Sequence, residues 1–396
     1  MGICLVRCPS PFLIKDRILP PLGLMAVGTG LKLKGHRVYI YDGPMKTVPK
    51  DFDYYGFGPT TPEYGYALNI KDSLNQRARF VLGGPYATLK PNECLKDGWN
   101  CVVVGDGEEV SERAFLGKDN LILAEDGNLD EYPIIDRSLV NIRSYKYYLF
   151  GRLSTTLITS RGCPYKCAFC CKNHCSVRLM SADRIIDEIK YLHYEFGYDA
   201  LMYSEDLFII NRKRAEKVFD AMSALNIICR CLVRADVVVK YGQGFADMMS
   251  ECGCIEVGMG IESGSDTILK NVNKGESVAT IEKAVGILKK ANIRVKGFFI
   301  LGLPGESPET INETKAFLDK MQLDDVDIKI FQPYPGSPIW DRKQDFDIQW
   351  HDNLDYSQMF YKGRPGEYHG NVSTSSLTNK QIVKEWIEME SKYKRG

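Results

Sequence analysis

Short apolar runs alternate with longer stretches that are apolar on one face only. ICLVRC reads as a strand, and PPLGLMAVGTGLKLKG as a helix opened by Pro21 and closed by Gly35. RVYIYD, DYYGFG, RFVLGG and CVVVGDG follow as short runs bounded by Gly or Pro, with EYGYALNIKDSLNQR as a helical stretch among them. This is the pattern of a parallel α/β sheet over residues 1–125. Its connection at 43–52 is short for a crossover, so one helix is expected to be missing. Residues 126–152 show no sustained period and read as a linker.

A second α/β series covers residues 153–340. It starts with strand TTLITS, a cysteine-rich loop, and a helix from Ser181 with Ile185, Ile186, Ile189 and Leu192 on one face. Strands ALMYSED, IICRCLVRAD, CIEVGMGIES, RVKGFFILGLP and DIKIFQPYPG alternate with helices NRKRAEKVFDAMSALN, QGFADMMSEC, SVATIEKAVGILKKA and PETINETKAFLDKM. Six such units predict a partial barrel with its chemistry at the carboxyl ends of the strands. Residues 341–396 form a C-terminal extension closing in a helix near 378–393. The expected fold class is therefore α/β: a Rossmann-like parallel sheet, a partial (β/α)6 barrel and a short extension.

Composition narrows the function classes. Lys plus Arg and Asp plus Glu both number 51, so no net field points to nucleic acid or an anionic membrane. The 44% hydrophobic and 26% charged content is that of ordinary globular domains. No apolar run is long enough to span a bilayer, and MGICLVRCPSPFL is not a secretory leader. A cytoplasmic chain is expected. Thirteen cysteines without an export signal argue for metal or redox chemistry rather than disulfides.

Five of those cysteines fall between Cys163 and Cys175. Cys163, Cys167 and Cys170 stand in RGCPYKCAFC, directly after the first barrel strand. Three thiolates on one loop converge on one inorganic centre and leave a position open. The rival reading is structural zinc with His174 or Cys175 as fourth ligand, or a zinc-stabilised binding module without turnover. Zinc modules favour CxxC pairs separated by a longer loop and rarely sit at the catalytic end of a barrel.

This CxxxCxxC spacing, with Phe169 before the last cysteine, resembles the radical S-adenosylmethionine (SAM) superfamily over about residues 150–340. The resemblance implies a four-iron four-sulfur cluster on Cys163, Cys167 and Cys170. It also implies SAM on the remaining iron, cleaved to a 5′-deoxyadenosyl radical, and a reducing partner such as flavodoxin or ferredoxin. It places Glu205 and Asp206 of YSED toward the SAM ammonium, and Arg234 of LVRAD toward its carboxylate. Glu262 and Ser263 of GIESGSDTILKNVNKG, and Gly302 and Pro304 of LGLPGES, fall beside the nucleotide.

Residues 1–115 look like the cobalamin-binding domain that precedes the barrel in one branch of that superfamily. The corrin would lie over Pro59, Thr60 and Thr61, then Gly83, Gly84, Tyr86 and Thr88, then Gly105, Gly107 and Glu108. A DxHxxG segment is absent, so no histidine is marked as a cobalt ligand. The expected activity is cobalamin-dependent methylation of an unactivated carbon in a small-molecule or peptide substrate. The alternative is a cobalamin-free oxidoreductase, cyclase or rearrangement enzyme with a vestigial first domain. Trp340, Trp350, His351, Tyr356 and Tyr361 are candidate pocket residues, and Cys171 and Cys175 are cysteines beside the cluster without an assigned role.

Overall fold

The computed structural model describes residues 1–394 except 12, 14, 16, 172–175, 352–353 and 360–369. His174, Cys175 and Tyr361 thus lie outside the described residues. The chain forms two compact units, Met1–Lys146 with a return segment that starts at Leu354, and Tyr147 onward.

The first unit is built from β1 (Gly2–Val6), α1 (Leu22–Leu33), β2 (Arg37–Tyr41), β3 (Tyr54–Phe57), α2 (Tyr64–Ser73) and β4 (Arg79–Leu82). It continues through α3 (Gly84–Leu89), α4 (Pro91–Lys96), β5 (Cys101–Val104), α5 (Ser111–Leu116) and β6 (Leu121–Leu123). The sheet order is β2-β1-β3-β4-β5-β6, with every neighbouring pair parallel. Alternate residues feed two cores, as the two-residue side-chain period of a strand requires. Cys4, Val6, Tyr55 and Phe57 face Ala67, Ile70, Tyr86 and Trp99, while Ile3, Leu5, Val81 and Val103 face Met25, Leu31 and Phe115. Strand β6, only three residues long, carries too little pattern to be read from sequence.

The short connection between β2 and β3 holds no α-helix, as its length requires, only a single 3-10 turn over Met45–Thr47. Two tyrosines secure it: Tyr41 donates to Pro44 O at 2.6 Å and Tyr55 to Pro49 O at 2.7 Å. Val48 and Phe52 supply apolar cover over the sheet where a helix would lie. Residues 126–146 run along α1, with Asp136 N–H on Thr29 Oγ1 at 2.9 Å and Lys32 on Asp136 at 2.6 Å. They place Val140 and Tyr145 in the second core.

The second unit opens with the antiparallel pair β7 (Tyr147–Leu149) and β8 (Arg152–Leu157). Then come β9 (Ser160–Arg161), β10 (Arg178–Leu179), α6 (Ala182–Phe196), β11 (Ala200–Tyr203), α7 (Arg212–Ala224), β12 (Ile228–Val233) and α8 (Ala235–Glu251). The remainder is β13 (Cys254–Glu262), α9 (Asp266–Asn271), α10 (Val278–Lys290), β14 (Arg294–Leu301), α11 (Pro308–Met321), β15 (Asp325–Ile330), α12 (Pro338–Asp341) and α13 (Asn379–Tyr393). The sheet order β15-β14-β13-β12-β11-β8-β7 puts six parallel strands in sequence, with β7 as an antiparallel edge. This curled, partial barrel is the expected architecture.

Local chemistry explains the helix ends. Ser181 caps α6 by accepting from Arg184 N–H, and Gly197 closes it at φ 71°. Ser307 caps α11, with Pro308 in its first turn. Helix α8 starts at Ala235 rather than at Gln243, where the sequence pattern begins, because β-branched Val237–Val239 and Gly242 at φ 74° interrupt the helical signature. In the extension, Trp340 stacks on Trp350 at 5.9 Å, and Trp386 of α13 donates to Ile328 O of β15 at 2.9 Å.

Candidate functional site

The cysteine loop leaves the end of β8 and is closed at its neck by β9 pairing antiparallel with β10. Gly162 stands at that neck with φ 85°, and a Cβ there would drive into the Ser176 carbonyl oxygen. Only glycine satisfies both demands. Farther in, Ala168 N–H donates to Val272 O at 2.8 Å, and Asn273 Nδ2 donates to Lys166 O at 2.9 Å. The loop is therefore moored to the turn that follows α9. A cavity of about 590 Å³ opens beside it, lined by Cys167, Lys166, Asn271, Asn273 and Arg342 among others.

Cys163 is half-buried, Cys167 buried and Cys170 exposed. Cys167 and Cys170 titrate as a pair, in which the neighbouring Cys170 thiol lowers Cys167, with Lys274 and Arg234 adding to the effect, and Cys170 is pushed up. Burial raises Cys163. No three Cys, His, Asp or Glu side chains among the described residues gather as ligands of one ion. A tetrahedral zinc cage demands that gathering. A multi-iron cluster does not, because each thiolate binds a different iron corner. The donor set, three cysteine thiols on one moored loop, fits the cluster.

Glu205, just past the end of β11, is 4% exposed. Its Oε1 accepts from Thr159 Oγ1 at 2.5 Å, and its Oε2 has no hydrogen-bond partner among the described residues. Burial pushes this carboxyl up to about 7, against the Thr159 hydrogen bond. Thr159 is in turn held by Arg214 of α7, whose guanidinium also donates to Thr159 O at 2.8 Å, Met180 O at 2.8 Å and Phe208 O at 3.0 Å. Glu205 Oε2 is thus a buried, open acceptor beside a strand's carboxyl end. Asp206 beside it is exposed.

Arg234, at the start of α8, is already engaged. It pairs with Asp236 at 3.1 Å, donates to Lys274 O at 3.0 Å and lies 3.5 Å from the ring centre of Tyr165. Glu262 adopts φ 67° at a register shift in β13. That bulge turns its carboxylate onto Lys274 Nζ at 2.9 Å. Gly260 leaves room for the pair, since a Cβ there would meet Glu262 Oε1 at 2.5 Å and Lys274 Nζ at 3.1 Å. Ser263 is buried with its hydroxyl 3.2 Å from that of Thr314. Gly302 has φ 85° and its N–H donates to Glu306 Oε2, while Pro304 O accepts from Asn271 at 3.2 Å. Phe169 is half-buried on the cysteine loop. Cys171 Sγ lies 3.8 Å from Tyr334 O, and burial pushes its thiol up to about 12.

Sequence reasoning did not single out Thr159, Arg214, Lys274, Glu276 or Glu306. Their types are ordinary, and burial alone makes them notable. Glu306 is fully buried and pushed up to about 8, with Gly302 N–H opposing the rise.

In the first unit, the loops Pro59–Thr61, Gly83–Thr88 and Gly105–Glu108 follow the carboxyl ends of the adjacent interior strands β3, β4 and β5. This is where open parallel sheets take ligands. Thr88 knits two of them, donating to Gly84 O at 3.0 Å and accepting from Gly105 N–H at 3.1 Å. A Cβ on Gly84 would lie 3.0 Å from Gly58 Cα, so bare backbone meets bare backbone there. Thr60 N–H donates to Glu63 at 2.9 Å, Thr61 and Glu108 are buried, and a Cβ on Gly107 would meet Val27 at 3.1 Å. Tyr86 points into the core, stacked on Tyr64 at 4.0 Å, with its hydroxyl on Glu93 at 2.5 Å and Tyr356 at its edge.

Known proteins share this layout. The radical SAM superfamily pattern matches residues 157–318. An uncharacterized methyltransferase of Pyrococcus horikoshii is 30% identical over 386 residues, covering 86% of this chain and 83% of its own. The bacteriochlorophyllide d C-12(1)-methyltransferase of Chlorobaculum tepidum is 24% identical, covering 95% and 83%. Among solved structures, the radical SAM methyltransferase TsrM from Kitasatospora setae, with cobalamin and a four-iron four-sulfur cluster bound, superposes with TM-score 0.68 at 15% identity. That match covers 93% of this chain and 83% of TsrM. The cobalamin-dependent SAM radical enzyme OxsB gives TM-score 0.69 at 17% identity over 98% of this chain and 67% of OxsB. No described helix is long and apolar enough to cross a membrane. The chain is an enzyme of the radical SAM superfamily, built on the parallel-sheet and partial-barrel fold of these solved members.

Proposed function

We propose that this enzyme is a cobalamin-dependent methyltransferase acting on an unactivated carbon of a small-molecule or peptide substrate. The observation that carries the reading is the moored cysteine loop at the carboxyl end of the first parallel barrel strand, in a chain whose other unit, which includes Met1–Lys146, is a ligand-binding type of parallel sheet. Cys163, Cys167 and Cys170 would hold three irons of the cluster and leave the fourth for SAM. Bound there, cluster and SAM would supply the deoxyadenosyl radical, and cobalamin the methyl group.

The chain's own residues bind and orient. Glu205 offers its open Oε2 to the SAM ammonium, and Arg214 fixes that carboxyl through Thr159. Arg234, held through Nε and Nη2 by Asp236 and Lys274 O, is assigned to the SAM carboxylate. Phe169, Glu262, Ser263, Gly302 and Pro304 are assigned to the nucleotide's walls. In the first unit the loops after β3, β4 and β5 would carry the corrin, with Gly58 and Gly84 packing two of them backbone to backbone. A low-potential reductant such as flavodoxin or ferredoxin completes the requirements.

A second reading, a cobalamin-free radical enzyme, draws support from the helixless β2–β3 connection and from Tyr86 being turned into the core. Anaerobic reconstitution with ample cobalamin separates the two. The methyltransferase reading expects iron, sulfide and cobalt together, with deoxyadenosine formation abolished in Cys167→Ala. Productive SAM cleavage by corrin-free protein would sink it.

A further inference from the structure

We propose that Lys274 is a positioning residue for the transferred electron: a fixed, buried cation that favours reduction of the cluster on Cys163, Cys167 and Cys170. This rests on the cluster reading above. Lys274 sits in the NVNKGE turn after α9, the same turn that moors the cysteine loop through Val272 and Asn273. Its own carbonyl accepts from Arg234, whose guanidinium lies on the ring of Tyr165, between Cys163 and Cys167 in the loop. The turn and the loop therefore form one braced piece.

Lys274 is 4% exposed, so solvent does little to damp its field. Its ammonium meets Glu262 at 2.9 Å and Glu276 at 3.6 Å. Burial alone would strip its proton, but those carboxylates overcome the penalty and raise it. The charge is thus permanent near neutral pH. Lys274 directly follows Val272 and Asn273, which hold the backbone on either side of Cys167 through Ala168 N–H and Lys166 O. An electron delivered by a low-potential donor adds a negative charge to a thiolate-bound cluster, with no proton to offset it. A neighbouring cation in a poorly screened site favours that charge, whereas its paired anions, Glu262 and Glu276, disfavour it.

The test uses the full chain, reconstituted anaerobically and without SAM, with iron and sulfide matched between proteins. The reduced cluster is followed by electron paramagnetic resonance against ambient potential. Lys274→Met is expected to lower the reduced-to-oxidised ratio at fixed potential roughly tenfold, about 59 mV for one electron. Lys274→Arg keeps the charge and should stay near the parent. Glu276→Gln should shift the potential upward, and it carries the test if Lys274→Met does not fold. Fold damage would not move two neutralised variants in opposite directions. Parental potentials in both, with full iron content, overturn the inference. Weaker SAM binding by Lys274→Met in a separate titration, with an unmoved potential in the SAM-free sample, also overturns it, assigning Lys274 to the nucleotide instead. Failure of the parent protein to take up iron and sulfide removes the cluster reading itself, and the inference with it.

Discussion

Replacing Glu205 with Gln isolates the cost of holding a carboxyl in a buried, half-satisfied site. The side chain is 4% exposed, Thr159 satisfies one oxygen, and burial lifts the carboxyl from an ordinary 4.5 to about 7. A raised carboxyl favours the fold while it is protonated, and that advantage is lost as pH rises from the unfolded value through the folded one. At ~1.4 kcal/mol per pH unit, the interval amounts to roughly 3 kcal/mol, fully felt by about pH 8 and less than half felt at about pH 5.5. Glutamine keeps an acceptor for Thr159 and carries no charge. Urea unfolding of the SAM-free protein should therefore show Glu205→Gln gaining roughly 2 kcal/mol on the parent between about pH 5.5 and about pH 8. SAM affinity should fall, because an amide cannot pair with an ammonium. A stability difference independent of pH, or one that shrinks as pH rises, would refute the reasoning.

Other expectations follow from the same geometry. Gly162→Ala forces a side chain into φ 85° and into the Ser176 carbonyl; the left-handed conformation alone costs about 1–2 kcal/mol, and iron uptake on reconstitution should fall sharply. Thr159→Val removes the hydroxyl shared by Glu205 and Arg214, so a loss of about 1–3 kcal/mol with weaker SAM binding is expected by calorimetry. Glu306, raised to about 8, favours the fold fully below its ordinary 4.5 and loses that advantage as pH rises through about 8; Glu306→Gln should flatten the fall in stability between about pH 4.5 and about pH 8.

Legibility from sequence followed how local the signal was. The cysteine loop announced itself because CxxxCxxC is rare by chance and sat after a readable strand. The parallel series was legible because short apolar runs alternate with one-face-apolar helices, and several of the runs, such as those before Gly58, Gly83 and Gly105, are closed by Gly. The strand ends carrying Pro59, Gly83 and Gly105 could be grouped from that series alone, yet Tyr86 looked the same as its loop neighbours until packing turned it onto Tyr64. Arg214 hid in a charged helix, NRKRAEK, whose spacing gives no hint that this arginine dives under β8. Lys274 and Glu276 depend on contacts with Glu262 and Arg234 that only the folded chain creates. Residues 126–146 lack periodicity because they drape over α1 rather than form an element of their own.

Iron, acid-labile sulfide and zinc measured on anaerobically reconstituted protein, with SAM added to the reduced sample, test the central claim most directly. The account predicts about four irons and four sulfides per chain, a resonance that changes on adding SAM, and loss of all of it in Cys167→Ala. One zinc per chain without sulfide, and a spectrum indifferent to SAM, would contradict it.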